Sequence, residues 1–597
     1  MSGLFAVVSK EGRASEDSFR AGLNALAGRP NEKIATWICP RGRAALGISQ
    51  FLYEDSASAL NSSNGTVVAI DGEILNTKEI RTRFSIQSTS SAAMVADLYN
   101  KFDIQFINFL DGEFSLALWD SRKCLLLVVR DRFGRKNLSY ARHLDNVYVA
   151  TKCEALFEAG LPAVWDHESI QQDLFFFHER TRTLFKGVTR IPSAHYLSVE
   201  KGVANVTQYW DDDYIAAENQ GSNIADSELI EQYREAFVQA IRTRVQGREH
   251  LAFTLSGGLD SSSIIGVAAA ELHLENPIAI VHSLNTIESD NDDLEFQWSQ
   301  KMATFVNARL EVVRSNRKNL IEFFPRLVVD SETIHDDVSW TVLVGISNAA
   351  RNLGLTRLTT GDYQDALMPG PVLAPDDISN TPMLLEVKRE FQFSPIDHVA
   401  VYRKYRLGLA LQPVFQDLLN EMRGYNPITA HLNGLRLRSE FKSWDQDQRS
   451  AYVARRVMDS FFQGTTGVFS AAAIDWIAPF VDSRLYEIIR RSPSSMIVGK
   501  QMLREAARPF LAPGMYNRRR SGAGLSLVKR ENDPFYGYLL ERISQTDVPF
   551  INKTNLKTLI DKYHAVDLPP ELEAGYLSAL AIILSFIVLQ DKFKPGN

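Results

Sequence analysis

The sequence predicts a layered α+β domain followed by an α/β domain built on a parallel sheet, ending in a helical part. Three observations predict this. Short strand-like runs broken by turns dominate residues 1–210, strands and helices alternate from residue 226, and beyond about residue 385 the pattern is mainly helical. With 597 residues the chain is too long for one hydrophobic core, so two or more domains are expected. The expected boundaries are 1–210 for the first domain, 211–225 for a polar linker and 226–597 for the second.

In the first domain, residues 65–76 carry a strand into Asp71-Gly72, a dipeptide that predicts a hairpin turn. Residues 109–119, with Asp111-Gly112, repeat that grammar, and the apolar run 124–130 reads as a buried strand. Residues 92–101 read as a helix. Strands on both sides of a helix give the layered arrangement. The segment 211–223 is polar, with three Asp and two Asn and no apolar periodicity, which reads as a linker.

The second domain opens with a helix over 228–244 and a strand over 251–255. Ser256-Gly-Gly258 then breaks the strand, and residues from Asp260 onward start a helix. Strands over 277–283, 309–313 and 356–360 follow, with a helix over 295–307 between the first two. Such alternation argues for a parallel sheet covered on both faces.

Glycines at a strand-to-helix junction let a ligand approach the backbone, and a helix N-terminus attracts anions. Asp260 repels phosphate unless a divalent cation stands between them, so this turn reads as a phosphate-plus-Mg²⁺ site. A second strand ends in Gly361-Asp-Tyr-Gln-Asp365. In open parallel sheets ligands bind beyond the strand ends, where two carboxylates can share one Mg²⁺. The bland alternative makes Asp362 and Asp365 turn formers.

A net charge of −7 argues against a nucleic-acid surface as the main function. Cys39, Cys124 and Cys153 lack metal-ligand spacing and fit a reducing cytosol. The N-terminus lacks a basic region and long apolar core, so no signal peptide is expected. The apolar run 577–589 is shorter than the roughly 20 residues needed to span a bilayer and reads as a buried C-terminal helix. The expectation is a cytoplasmic protein without membrane or nucleic-acid partners.

Ser256-Gly-Gly-Leu-Asp-Ser261 resembles the pyrophosphatase-loop signature of ATP pyrophosphatases, and lacks the Lys-Ser/Thr ending of a Walker A loop. Asp71-Gly-Glu-Ile-Leu-Asn76, Leu110-Asp-Gly-Glu-Phe114, Arg130-Asp-Arg-Phe-Gly134 and Pro192-Ser-Ala-His-Tyr-Leu197 resemble motifs of the asparagine synthetase superfamily, in that family's order. Pro479-Phe-Val-Asp482 and Lys500-Gln-Met-Leu-Arg504 continue the match, so the resemblance covers nearly the whole chain. It implies an N-terminal αββα sandwich of the Ntn-hydrolase type and an ATP-pyrophosphatase domain. The implied chemistry is adenylation of a carboxylate with release of pyrophosphate, followed by amine attack, using ATP and Mg²⁺. By resemblance, Leu255, Ser256, Gly257, Gly258, Asp260, Ser261, Ser283 and Gly361 bind ATP or pyrophosphate. Asp260 and Asp365 hold the metal, and Lys500 acts on the reacting groups.

Departures from the family carry the specific information. The family's nucleophilic cysteine after the initiator Met is Ser2, and its Asn before Gly72 and Glu73 is Asp71. Its Ser-Asp-Cys-Glu stretch, whose Asp holds the glutamine amine, is Ser90-Ser-Ala-Ala93. A serine can serve as an N-terminal nucleophile, but these joint losses imply a degenerate glutaminase site. The amine must then come from elsewhere. Relatives lacking the cysteine close rings with an amine of their own substrate. The chain, through Leu255-Ser-Gly-Gly-Leu-Asp-Ser-Ser-Ser-Ile264, resembles the lasso-peptide macrolactam synthetases and the β-lactam synthetases.

Tyr363 stands one residue after the position where β-lactam synthetases carry an amine-activating tyrosine, or is a packing residue, and Asp362 at that position could accept the amine proton. Arg520 replaces an expected lysine; a guanidinium can clamp pyrophosphate or an oxyanion but cannot shuttle protons. The family's Arg before Pro479 is Ile477. Glu295 could place substrate or simply supply helix N-terminal charge. The expected function is an ATP-dependent ligase closing a lactam or macrolactam on a small-molecule or peptide carboxylate. A precursor peptide and its peptidase are the implied partners. The alternatives are an asparagine synthetase, and a non-catalytic partner in a biosynthetic complex.

Overall fold

The computed structural model describes residues 3–10, 12–27, 32–51, 60–63, 65–175, 177, 180–211, 225–283, 294–314, 317–336, 338–368, 385, 389, 399–422, 424–434, 462–518, 533–545, 547–564 and 570–596. Ser2 and Arg520 lie outside them, as does most of the expected linker.

The first half contains β1 (Gly3–Ser9), β2 (Glu32–Ile38), β3 (Ala44–Phe51), β4 (Leu60–Ser63), β5 (Thr66–Ile74) and β6 (Gly112–Asp120). It continues with β7 (Leu125–Arg130), β8 (Ser139–His143), β9 (Asn146–Ala150), β10 (Val188–Arg190), β11 (His195–Glu200) and β12 (Val203–Gln208). They form two six-stranded sheets, ordered β10-β8-β9-β1-β3-β2 and β12-β11-β7-β6-β5-β4.

The period-two alternation of strand side chains builds the layers. Leu4, Ala6 and Val8 of β1 share a core with Ala117 and Trp119 of β6, between the sheets. Phe5 and Val7 face the other way, onto Phe19 and Leu23 of the helix Glu16–Leu26. Val68 and Ile70 of β5 pack with Val95, Leu98 and Tyr99 of the helix Ser91–Phe102. The result is an αββα sandwich. Each fully buried Leu, Ile, Val or Phe in these layers contributes about 1.5–3 kcal/mol.

The hairpin expectation at Asp71-Gly72 is corrected. These residues lie inside β5, where Asp71 pairs with Ser115 and Gly72 with Phe114 of β6. The glycine serves close strand approach. A Cβ on Gly72, at φ +106, would stand 2.1 Å from the Glu113 carbonyl oxygen. Gly112 likewise opens β6 instead of turning a hairpin, and a Cβ there would meet the Glu73 carbonyl oxygen at 2.2 Å.

The second half carries a five-stranded parallel sheet: β13 (Leu251–Thr254), β14 (Ile278–Ser283), β15 (Arg309–Arg314), β16 (Arg357–Thr359) and β17 (Asp475–Ile477). Their order is β15-β14-β13-β16-β17. From β13 the chain runs outward one way to β14 and β15, then returns to β16 on the other side. The switch in strand order therefore falls between β13 and β16, whose C-terminal ends are neighbours. The C-terminal apolar run belongs to a longer helix, Pro570–Phe593, with 78% of its most apolar stretch buried in the protein. Its length alone would allow a bilayer crossing; here it supplies core.

Candidate active site

The turn after β13 is shaped by hydroxyls and glycines. The Ser256 amide donates to Ser261 Oγ at 3.2 Å, and the Gly258 amide donates to Ser256 Oγ at 3.3 Å. Leu255 is fully buried and its amide donates to the Ile280 carbonyl at 2.9 Å, tying the turn to β14. Gly257 has φ +72, and a Cβ there would stand 2.2 Å from the Glu295 carbonyl oxygen, so conformation and space both require glycine. Gly258 precedes the helix Leu259–Glu271 without a side-chain cap, leaving the first N–H groups of that helix for an anion. Ser283 ends β14 beside this turn, buried.

The loop after β16 lies directly against it. A Cβ on Gly361 would be 3.0 Å from Asp260 Cβ and from the Ser261 amide nitrogen. Two carboxylates converge here on one ammonium. Lys500 Nζ donates to Asp260 Oδ2 at 2.5 Å and stands 2.9 Å from Asp365 Oδ1. Burial alone would lower the Lys500 pKa, but Asp260 and Asp365 raise it above the ordinary value and hold the ammonium protonated. Lys500 sits in the left-handed region at φ 61, directly before the helix Gln501–Ala507. Arg504 fixes that turn by donating to the Gly499 carbonyl at 3.1 Å and the Tyr516 carbonyl at 2.8 Å.

The structure separates Asp362 from Tyr363. Asp362 is half-buried, accepts from Thr360 Oγ1 at 2.6 Å, and is raised above the ordinary carboxylate range by desolvation. Tyr363, which the sequence leaves open between an amine-activating and a packing role, packs into the protein. Its backbone is left-handed, at φ 78, and its ring is buried, stacked on Phe462 at 5.1 Å and edge-on to Phe133 at 5.8 Å. Glu295 pairs with the buried Arg518, closing the far side of the Gly257 turn. Arg518 was not singled out by sequence. It lies in the basic run Asn517-Arg-Arg-Arg520, and the run itself does not tell which arginine is buried.

In the first half, the residues of the degenerate site have protein partners. Asp71 is buried and paired with Lys136 at 3.2 Å, and Glu73 is paired with Arg248 of the second half. Ser90 caps the helix Ser91–Phe102, accepting from the Ala93 amide at 3.1 Å. Among the described residues no group of three or more His, Cys, Asp or Glu side chains forms a metal cluster. Asp260 and Asp365, which both reach Lys500 Nζ, are two carboxylates close enough to share one cation.

The glutamine amidotransferase domain model matches residues 1–210, and the asparagine synthase model matches residues 232–581. Amidase chry2 of Gibberella zeae is 22% identical over 575 residues, covering 86% of this chain and 85% of its own. Amidase chyE of Penicillium rubens is 22% identical over 535 residues, covering 80% and 79%. The glutamine-hydrolyzing asparagine synthetase 2 of Bacillus subtilis is 27% identical over 256 residues, covering 40% of this chain and 34% of its own. The asparagine synthase match takes in more than half the chain, including the β13 turn, the β16 loop and Lys500 that meet in the site. On that ground the chain belongs to the asparagine synthase family and is an ATP-dependent carbon–nitrogen ligase.

Proposed function

We propose that this ligase adenylates a carboxylate, releases pyrophosphate, and closes a lactam or peptide macrolactam with an amine of the substrate, without hydrolysing glutamine. The observation that carries this reading is the Asp260–Lys500–Asp365 bridge at the uncapped start of the helix Leu259–Glu271. A carboxylate is a poor electrophile, and transfer to AMP gives it a good leaving group. The substrate carboxylate oxygen attacks the α-phosphorus, and the bond to the bridging oxygen breaks toward pyrophosphate. The amine then attacks the acyl carbon, gives its proton to a base, and AMP leaves with the former carboxylate oxygen.

The chain supplies the electrostatics of both steps. The helix N–H groups and Lys500 receive the phosphate charge. Asp260 and Asp365, two carboxylates that already meet at one cation, would hold Mg²⁺. Bound there, Mg²⁺ would neutralise charge on the departing pyrophosphate. Asp362, raised by desolvation, is the proton acceptor at the same strand ends.

Against glutamine as the amine source stand the Asp71–Lys136 pair and Ser91 at the position where the family's Asp would hold the glutamine amine. Two relatives that share most of their length with this chain are named amidases, in keeping with chemistry at an amide bond. The second reading, an asparagine synthetase, is favoured by the names of relatives that match over shorter stretches. The charged bridge argues against a non-catalytic partner. A cytoplasmic setting, with a precursor peptide and its peptidase as partners, completes the proposal.

ATP–pyrophosphate exchange separates these readings. Aspartate is offered as one probe, and a peptide with a free N-terminal amine and an internal Asp or Glu as the other. Exchange with the peptide is expected. Exchange with aspartate alone would sink the cyclase reading, and exchange with neither would favour the non-catalytic one.

A further inference from the structure

The loop between β7 and β8 crosses from the first half into the second. Phe133 packs edge-on against Tyr363 at 5.8 Å and against Tyr486 at 6.3 Å. Arg135 goes deeper. Its guanidinium lies 3.7 Å from the centre of the Trp476 ring and donates to the Trp476 carbonyl at 3.0 Å. The Trp476 indole N–H donates to Thr360 Oγ1 at 2.7 Å, and Thr360 Oγ1 donates to Asp362 at 2.6 Å. The Thr360 amide donates to the Ile477 carbonyl at 2.9 Å, so β17 holds the loop by main chain as well. One residue on, Gly361 touches Asp260, and Asp365 reaches Lys500.

Arg135 is itself fixed. Glu113 accepts from Arg135 Nε at 3.0 Å and from Arg244 Nε at 2.9 Å, and Arg244 donates to Asp482 at 2.7 Å. Arg135 is 6% exposed and Arg244 4%, so the network is shielded from water on both sides of the boundary. A desolvated, fully partnered network holds its members to one geometry.

We propose that Arg135 of the N-terminal half is a positioning residue for the nucleotide site, setting the Thr360–Asp365 loop through Trp476 and Thr360. The first half then completes the ligase site whatever remains of its glutaminase chemistry. The proposal rests on reading the site as one for Mg²⁺-ATP. The charge of Arg135 also reaches Asp362, offsetting part of the rise that burial imposes.

The test is calorimetric titration of the full chain with Mg²⁺-ATP alone, so that no carboxylate substrate is needed. Arg135→Met and Thr360→Val each weaken binding by about tenfold, because the loop is misplaced against the phosphate turn. Thr360→Ser keeps the hydroxyl and stays within about threefold of wild type, and the Arg135→Met/Thr360→Val double variant is within about threefold of the weaker single. A merely structural role would not distinguish Ser from Val in this way. If Arg135→Met fails to fold, Trp476→Phe, which keeps an aromatic face for Arg135 and removes the indole N–H, takes its place in the cycle. Unchanged binding by Thr360→Val, or losses that multiply in the double variant, would overturn the proposal. A wild type that binds no Mg²⁺-ATP would overturn the site reading along with it. A wild type that binds Mg²⁺-ATP but exchanges no pyrophosphate would sink only the carboxylate reading, and the cycle still decides this one.

Discussion

Lys500 is the residue on which the ligase site converges, because two carboxylates from different strand ends meet at its ammonium. Lys500→Met removes the cation and leaves Asp260 and Asp365 repelling each other. ATP–pyrophosphate exchange should fall by about 10²-fold or more. Tyr363 gives the opposite kind of prediction. Its ring packs on Phe462 and Phe133, so Tyr363→Phe should leave exchange within about twofold of wild type, whereas Tyr363→Ala should lower stability by about 3 kcal/mol or more. Measured turnover and chemical denaturation check the two. A large loss of exchange in Tyr363→Phe would return the hydroxyl to the chemistry. The tyrosine was visible in the sequence, but its direction was not. A left-handed backbone at φ 78 turns the ring into the domain boundary, and no local pattern encodes that turn.

At the scale of elements, the turn from β13 into its helix was legible because its chemistry is local. Ser256, Gly258 and Ser261 bond to one another, and the spacing of glycines carries the geometry. Gly257→Ala would force a Cβ into the Glu295 carbonyl while the backbone stays at φ +72. A loss of at least about 1–3 kcal/mol in stability is expected, with weaker ATP binding, read by thermal unfolding with and without nucleotide. Asp71-Gly72 shows where local reading fails. The same dipeptide that turns hairpins elsewhere lies mid-strand here, because the glycine is needed for β5 to approach β6. β17 was illegible for a different reason. At three residues it has no periodicity, and only its parallel pairing with β16 makes Asp475–Ile477 a strand.

At the scale of the whole molecule, the two halves are joined by buried charge. Glu113 bridges Arg135 and Arg244, and the sequence offered no sign of this because the partners are far apart in the chain. Burial alone would raise the Glu113 carboxyl, but the two arginines hold it below its ordinary value of 4.5. Its contribution to stability is therefore present above that value and lost as pH falls through the depressed folded-state value. Glu113→Gln leaves both guanidinium groups buried without their shared partner and should cost about 3–5 kcal/mol at neutral pH. Acid unfolding curves should also flatten in this variant. An unchanged acid limb would mean that Glu113 does not couple the halves.

The most direct measurement follows one oxygen atom. The carboxylate probe that supports exchange is labelled with heavy oxygen, and the products of a full turnover with ATP and Mg²⁺ are analysed by mass spectrometry. Label is expected in AMP, with a cyclised product lacking one water formed without added glutamine or ammonia. Label in inorganic phosphate, or an amide that forms only when glutamine or ammonia is supplied, would contradict it.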